Sequence, residues 1–190
     1  YSILAGVVEA ASGQELEAYL RARFFDPLGM ERTGYAFPAV PDTAFAVGYG
    51  RDGPQRPIHQ RMAALGDAWW NLKGNGGMQA SAGDMHRWSV ALRRGPVVTD
   101  GMRALAHGRH ETMEPGVFAA YGWFVRTDDD GQVFRISHTG SDGVFYSAAL
   151  WYPPSDTFVY FVGNGGEEPT LAVLRGVLRQ LPPVRSGSGG

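Results

Sequence analysis

A chain of 190 residues is long enough for one compact domain or for part of a larger one. Its 44% hydrophobic and 19% charged residues are those of an ordinary folded protein, and a formal net charge of -2 gives no electrostatic case for nucleic acid or an anionic membrane surface. No apolar run reaches the length of a membrane span, and the absence of cysteine excludes disulfides and thiolate metal sites while fitting either side of a bacterial membrane.

The first element is a helix over residues 1–13, with Leu4, Val7, Val8 and Ala11 on one face and Ser12-Gly13 closing it. A chain that opens directly on an apolar stripe reads as one that starts in mid-domain or has been trimmed. A second helix covers about residues 14–25, with Leu16, Tyr19, Leu20 and Phe24 facing a core, and Pro27 and Gly29 stop it. From Glu31 to Gly77 the chain is rich in Pro, Gly and Asp and lacks periodicity. A stretch of that length is more often functional covering than linker. It holds Trp69 and Trp70 and ends in the run GNGGM, which contains Asn75.

Ser81 is placed as the N-cap of the next helix, with Asp84 three residues on as a capping partner and Met85, Trp88 and Leu92 as the buried face, up to Gly95-Pro96. A shorter helix follows over about 99–107. After Glu114 the pattern changes to strands: Tyr121–Thr127, a DDDG turn at 128–131, then Gln132–Ser137 as the second arm of a hairpin. Val144–Trp151 is apolar on both alternating faces, as in a strand covered on both sides. Thr157–Gly163 follows a proline-containing turn. Pro169 is set at the first position of a last helix carrying Leu171, Leu174, Val177, Leu178 and Leu181, ended by two prolines. The expected fold class is α+β: a helical, loop-rich portion at 1–113, three or four antiparallel strands with a C-terminal helix at 114–183, and a tail at 184–190 that is flexible or appended.

The residues with chemistry in them are His138-Thr139-Gly140, at the end of a predicted strand, followed by Ser141-Asp142-Gly143 and another strand. A glycine lets a substrate backbone approach an edge strand. A hydroxyl and an imidazole hold a carboxylate or help move a proton, and a free backbone N–H aimed at a carbonyl oxygen stabilises an oxyanion. The tripeptide with Ser141 carries all of these. Taken alone, it reads more readily as a Thr-Gly turn beside a surface histidine.

The segments around it carry a resemblance. YSILAGVVEAASG, GQELEAYLRARFFDPLGMERTGY, GNGGMQASAGDMHRWSVAL, YGWFV, HTG and DGVFYSAALWYPPSDTFVYFVGNGG resemble, in order, the C-terminal blocks of the serine β-lactamase and penicillin-binding-protein superfamily, particularly its class C β-lactamase-like esterases, D-peptidases and DD-carboxypeptidases. The resemblance covers nearly all of residues 1–181. It implies an antiparallel sheet flanked by helices and an acyl-enzyme formed on the serine of Ser-x-x-Lys, with Tyr-x-Asn and Lys/His-Thr-Gly as further motifs. Only the third motif can be set on this sequence, as His138, Thr139 and Gly140. The Ser141 N–H then becomes one half of the oxyanion hole.

Two departures matter. No serine is followed three residues later by lysine, and Lys73 is the only lysine. Tyr1-Ser2 is followed by Ile3 rather than asparagine, so Tyr1 reads as the first-turn aromatic of its helix. The resemblance therefore implies a C-terminal part of a serine hydrolase acting on an ester, amide or peptide substrate. Its nucleophile comes from a front portion on the same or a separate polypeptide. The other class that stays open is a ligand-binding or partner subunit that keeps the cleft without the nucleophile. Trp69, Trp70, Asn75 and Gly143 are the expected substrate contacts, with core packing an equal reading for the two tryptophans. His107 and His110, with Glu111 beside them, lack a further ligand at a usual spacing, so no metal is expected, and no organic cofactor is implied.

Overall fold

The structure is a computed structural model describing residues 1–35, 40–95 and 98–180, with residues 67–69 described in backbone only. By its contacts the chain divides into two compact units, Tyr1–Val97 and Val98–Gly190.

In the first unit, α1 (Ser2–Ser12) ends at Gly13, whose φ of 68° and N–H bond to the Glu9 carbonyl form a left-handed C-cap. The following α2 (Leu16–Leu20) widens into a π-type turn over Arg21–Phe25, and the chain leaves it through Gly29 at φ 65°. The buried face of α1 is Ala5, packed with Leu16 and Tyr35 and joined by Val8 and Leu20. Leu4 and Val7, expected on the core side, are exposed along with Ile3. The helix is apolar nearly all round from Ile3 to Val8, so periodicity does not choose a face. The partners present in this unit, α2 and Tyr35, choose it.

Residues 31–77 contain short elements that periodicity did not reveal. They are β1 (Thr33–Gly34), the β2 (Gly48–Gly50) and β3 (Gly53–Gln55) hairpin, α3 (Ile58–Ala63) and a 3-10 stretch at Gly66–Leu72. β1 pairs with β4 (Gln79–Ala80), just before α4 (Ala82–Arg94). Ser81 caps α4 as expected: its hydroxyl accepts the Asp84 N–H at 3.1 Å. Asp84 does more than cap. Its buried carboxylate accepts the Arg32 N–H at 2.8 Å and the Thr33 hydroxyl at 2.9 Å and pairs with Arg87 at 2.9 Å. One carboxylate thus ties the β1 segment to the start of α4. Of the expected face of α4, Leu92 is buried, while Met85 and Trp88 are half-buried and Trp88 meets Phe24 edge-on.

The second unit starts with α5 (Asp100–Ala106), capped by the Thr99 hydroxyl. Six antiparallel strands follow: β5 (Glu111–Glu114), β6 (Val117–Ala119), β7 (Phe124–Thr127), β8 (Val133–Ser141), β9 (Tyr146–Tyr152) and β10 (Thr157–Gly163), in the order β10-β9-β8-β7-β6-β5. The sequence suggested three or four. β5 is exposed along its length and β6 has three residues, so both are strands through their pairing rather than through any pattern of their own. β8 also runs four residues past the expected end at Ser137, because β9 pairs with it as far as Ser141.

The last helix, α6 (Glu167–Gln180), starts two residues before Pro169, which sits within its first turn. Leu174 of α6 packs on Tyr146, Ala148, Leu150 and Tyr152, the buried residues of β9, while Val177 faces outward. Leu181, the two prolines and the 184–190 tail lie outside the described residues. No helix among the described residues is long and apolar enough to cross a membrane.

Two contacts in this unit set its tolerance to change. A Cβ built on Gly163 would overlap the Thr170 side chain, which is β-branched and held by its hydroxyl bond to the Gly166 carbonyl at 2.6 Å. Gly163→Ala is therefore expected to cost about 1–3 kcal/mol in urea unfolding, as overpacking does, and Thr170→Ala in the same chain should recover part of that loss. His107 lies edge-on between Trp123 (5.6 Å) and Trp151 (5.3 Å), its Nε2 buried without a hydrogen-bond partner. Burial, aided by the Arg103 charge, pushes its pKa down to about 4. The unfolded histidine titrates near its ordinary value of about 6.5, so this contribution to stability is complete above that pH and is lost as pH falls toward 4. Melting followed by tryptophan fluorescence should show the midpoint dropping across that window, and His107→Phe should flatten the drop.

Candidate active site

The candidate residues cluster on β8 and the turn that leaves it. β8 pairs with β9 through Ile136↔Trp151, His138↔Ala149, Thr139↔Ala148, Gly140↔Ser147 and Ser141↔Tyr146. The turn is closed by Asp142, whose N–H donates to the Phe145 carbonyl and whose carboxylate accepts the N–H groups of Val144 (2.9 Å) and Phe145 (2.6 Å). The Ser141 hydroxyl accepts the Gly143 N–H at 3.1 Å. Gly143 has φ 85°, a conformation that disfavours any side chain, so its first role is to make this turn. The Val144 carbonyl accepts the Gly166 N–H at 2.8 Å, which fastens the turn to the loop before α6.

The ladder decides what each residue offers. In an antiparallel pair, alternate residues direct their backbone groups to opposite neighbours. Because Asp142 bonds across to Phe145, Gly140 and His138 turn their backbone groups toward β9, and Thr139 and Ser141 turn theirs away. On that far side β7 pairs only as far as Phe124↔Ser137. Among the described residues no strand pairs beyond that point, so the Thr139 and Ser141 N–H groups stand at an open edge. All four residues from His138 to Ser141 are exposed.

Side chains alternate with the backbone. Thr139 shares the sheet face of its cross-strand partner Ala148, whereas His138 lies on the other face, its ring nearly parallel to Phe124 with centroids 6.0 Å apart. A Cβ on Gly140 would meet only the Ser147 hydroxyl, at an ordinary 3.6 Å. The fold itself thus makes no demand for glycine at 140.

Trp70 and Asn75 belong to the first unit, where the 3-10 stretch and its exit turn carry them. Trp70 lies against Gly6 of α1 and is partly exposed. Asn75 uses its side-chain amide to donate to the Asn71 carbonyl at 3.2 Å, closing its own turn. Trp69 lies outside the residues whose side chains are described. The lone lysine, Lys73, sits 3.9 Å from Glu9 of α1. Among the described residues no three His, Asp or Glu side chains come together as a metal site, and His110 stacks on Tyr121 at 4.2 Å with its Nε2 on the Leu105 carbonyl.

Sequence reasoning passed over Asp142 as a residue of the site. The signal was available, since Ser-Asp-Gly between two strands is the composition of an Asx-type turn.

The Beta-lactamase family profile matches residues 1–181. The chain is similar to a putative penicillin-binding protein PbpX of Bacillus subtilis (strain 168), 28% identical over 122 residues that are 64% of this chain and 28% of that protein. It is also similar to a D-aminopeptidase of Brucella anthropi, 29% identical over 146 residues, 74% of this chain and 26% of that protein. Among solved structures, a penicillin binding protein from Bacillus halodurans matches with a TM-score of 0.72 at 24% identity, over 92% of this chain and 52% of that one. A beta-lactamase/D-alanine carboxypeptidase from Pseudomonas syringae matches with a TM-score of 0.73 at 16% identity, over 96% and 58%. The structural likenesses establish the fold. In each case the chain spans less than two thirds of the relative's length, and under a third of the two curated relatives.

Removing the Asp142 carboxylate should loosen the turn that sets the open edge. Asp142→Ala is expected to cost about 1–2 kcal/mol and to speed amide exchange at Val144 and Phe145, whereas Asp142→Asn, which keeps an oxygen acceptor, should recover most of both.

Proposed function

The chain belongs to the Beta-lactamase family, and from that premise we propose that it supplies the substrate-holding strand of a serine hydrolase acting on ester, amide or peptide carbonyls. The observation that carries the reading is the open edge of β8. There the Thr139 and Ser141 N–H groups face away from β9, past the last pair with β7. A substrate laid along this edge extends the sheet by one strand, its backbone bonding to Thr139 and Ser141. Gly140 between them leaves room for close approach.

The Ser141 N–H, fixed by the Asp142 turn, serves as one oxyanion donor. Such a donor is effective because it is already oriented when charge develops on the carbonyl oxygen. The Thr139 hydroxyl orients the substrate, and the His138 imidazole, on the other face, offers a polar contact for a carboxylate or for a proton in transit. Trp69, Trp70, Asn75 and Gly143 remain candidates for the substrate-facing wall. Gly143 contributes first through the turn. The D-aminopeptidase among the relatives makes D-configured amides a reasonable first substrate class.

No serine in this sequence has the Ser-x-x-Lys spacing. The nucleophile is therefore proposed to come from sequence outside these residues, on the same or a separate polypeptide, with attack by that serine giving an acyl-enzyme that water then hydrolyses.

The test is acylation followed by intact mass. A fluorophosphonate probe should leave the 190-residue chain unlabelled and should label the longer polypeptide, or its partner, outside this sequence. In that active form Thr139→Val and Gly140→Val should each lower kcat/KM about a hundredfold, the scale of a lost oxyanion-type donor or positioning group, with the melting temperature little changed. An adduct on a serine within these residues, or unchanged turnover in both variants, overturns the proposal. Binding of the substrate without any adduct on either polypeptide favours the ligand-binding reading instead.

A further inference from the structure

We propose that the β6–β7 hairpin closes one end of the open edge of β8, so that the site cuts peptides near the C-terminus and releases no more than three residues. The inference rests on β8 being the substrate-holding strand and concerns which substrates fit along it. β7 occupies the position beside β8 as far as the pair Phe124↔Ser137. There the way along the edge is blocked by backbone. β7 is entered from β6 through a tight turn, in which the Ala120 N–H donates to the Trp123 carbonyl at 2.8 Å and Gly122 has φ 79°. The pair Ala119↔Phe124 lies next to that turn, so the hairpin ends level with Ser137.

A strand that continues the line of β7 runs as β7 does, antiparallel to β8, like the other pairs of this sheet. Followed from its N- to its C-terminus, it passes Ser141 first and Ser137 last. Its C-terminal end therefore points at Phe124. The residue opposite Ser141 sets its carbonyl oxygen on the Ser141 N–H. Three places remain before the hairpin, opposite Gly140, Thr139 and His138, about 10 Å of extended chain. The middle one is bonded to the Thr139 N–H. The portion on the N-terminal side of the carbonyl leaves β8 at the Asp142 turn, and this strand sets no limit on its length.

The bond that breaks is the C–N bond on the hairpin side of that carbonyl. The proton of the proposed serine passes to the leaving nitrogen, and the acyl carbon stays on the serine oxygen. Water then adds its hydroxyl to that carbon and returns a proton to the serine. The amine product is the portion held between Gly140 and the hairpin. A fourth residue on that side has to leave the plane of the sheet. It gives up backbone pairing and passes the Phe124 ring, which stands nearly parallel to His138 with centroids 6.0 Å apart.

The experiment uses the active form identified by the acylation test and N-acetylated alanine peptides of increasing length, in all-L and all-D series. Mass spectrometry reads which bond is cut. At every length the product released from the C-terminus should be one, two or three residues, with longer products formed at least about tenfold more slowly. Inserting one residue after Ala119 and one before Phe124 lengthens the hairpin by one place, and the longest product should then fall from three residues to two. Equal rates for longer products overturn the proposal, as does a cut position fixed from the N-terminus. A limit that stays at three in the folded hairpin variant also overturns it; if that variant does not fold, the peptide series decides alone. Hydrolysis of a p-nitrophenyl ester with no peptide cut overturns this inference and leaves the serine-hydrolase reading standing, whereas loss of both activities overturns the two together.

Discussion

The register of β8 against β9 is the constraint on which the rest of the second unit depends. Ile136 and Ser137 are buried on successive faces of β8, and Ala148 and Leu150 are buried on β9. A slip of one residue would carry the buried set to the wrong face, so the pairing has one acceptable alignment. Asp142 fixes that alignment at its open end by holding both Val144 and Phe145. The placement of His138, Thr139 and Ser141 follows from it. The same slip would turn the Ser141 N–H inward and exchange the faces of His138 and Thr139.

One strand therefore presents an open edge and a polar face. Its edge beyond Ser137 offers unpaired backbone groups, which suit an extended ligand. Its face on the α6 side carries Thr139, Ser137 and Arg135 in a row. The short β7 opens the edge.

The first unit is held by a different device. The buried Asp84 carboxylate collects an N–H and a hydroxyl from Arg32 and Thr33 and a guanidinium from Arg87, and joins β1 to the start of α4. Burying this carboxylate is tolerable because both of its oxygens accept hydrogen bonds, one of them from a guanidinium. Near it, the Tyr35 hydroxyl accepts the Gly74 N–H at 3.0 Å, and burial raises the tyrosine's pKa. A long stretch with little regular structure is thereby fastened at a few polar points rather than by a continuous core.

The sequence by itself determined the elements whose signals are local. Ser81 had to cap α4 because its hydroxyl reaches the third N–H beyond it, the DDDG turn had to reverse the chain, and the apolar alternation of β9 had to be a covered strand. It also singled out His138-Thr139-Gly140 and the family to which the chain belongs. It did not determine which side of α1 is buried, because an all-round apolar helix takes its face from its partners, here Leu16 and Tyr35. Nor could it reveal β5 and β6, whose hydrogen bonds come from neighbours many residues away. Only the tertiary structure decided that β7 stops at Phe124 while β8 continues to Ser141. That mismatch in length belongs to two strands at once, and no local pattern in either one records it.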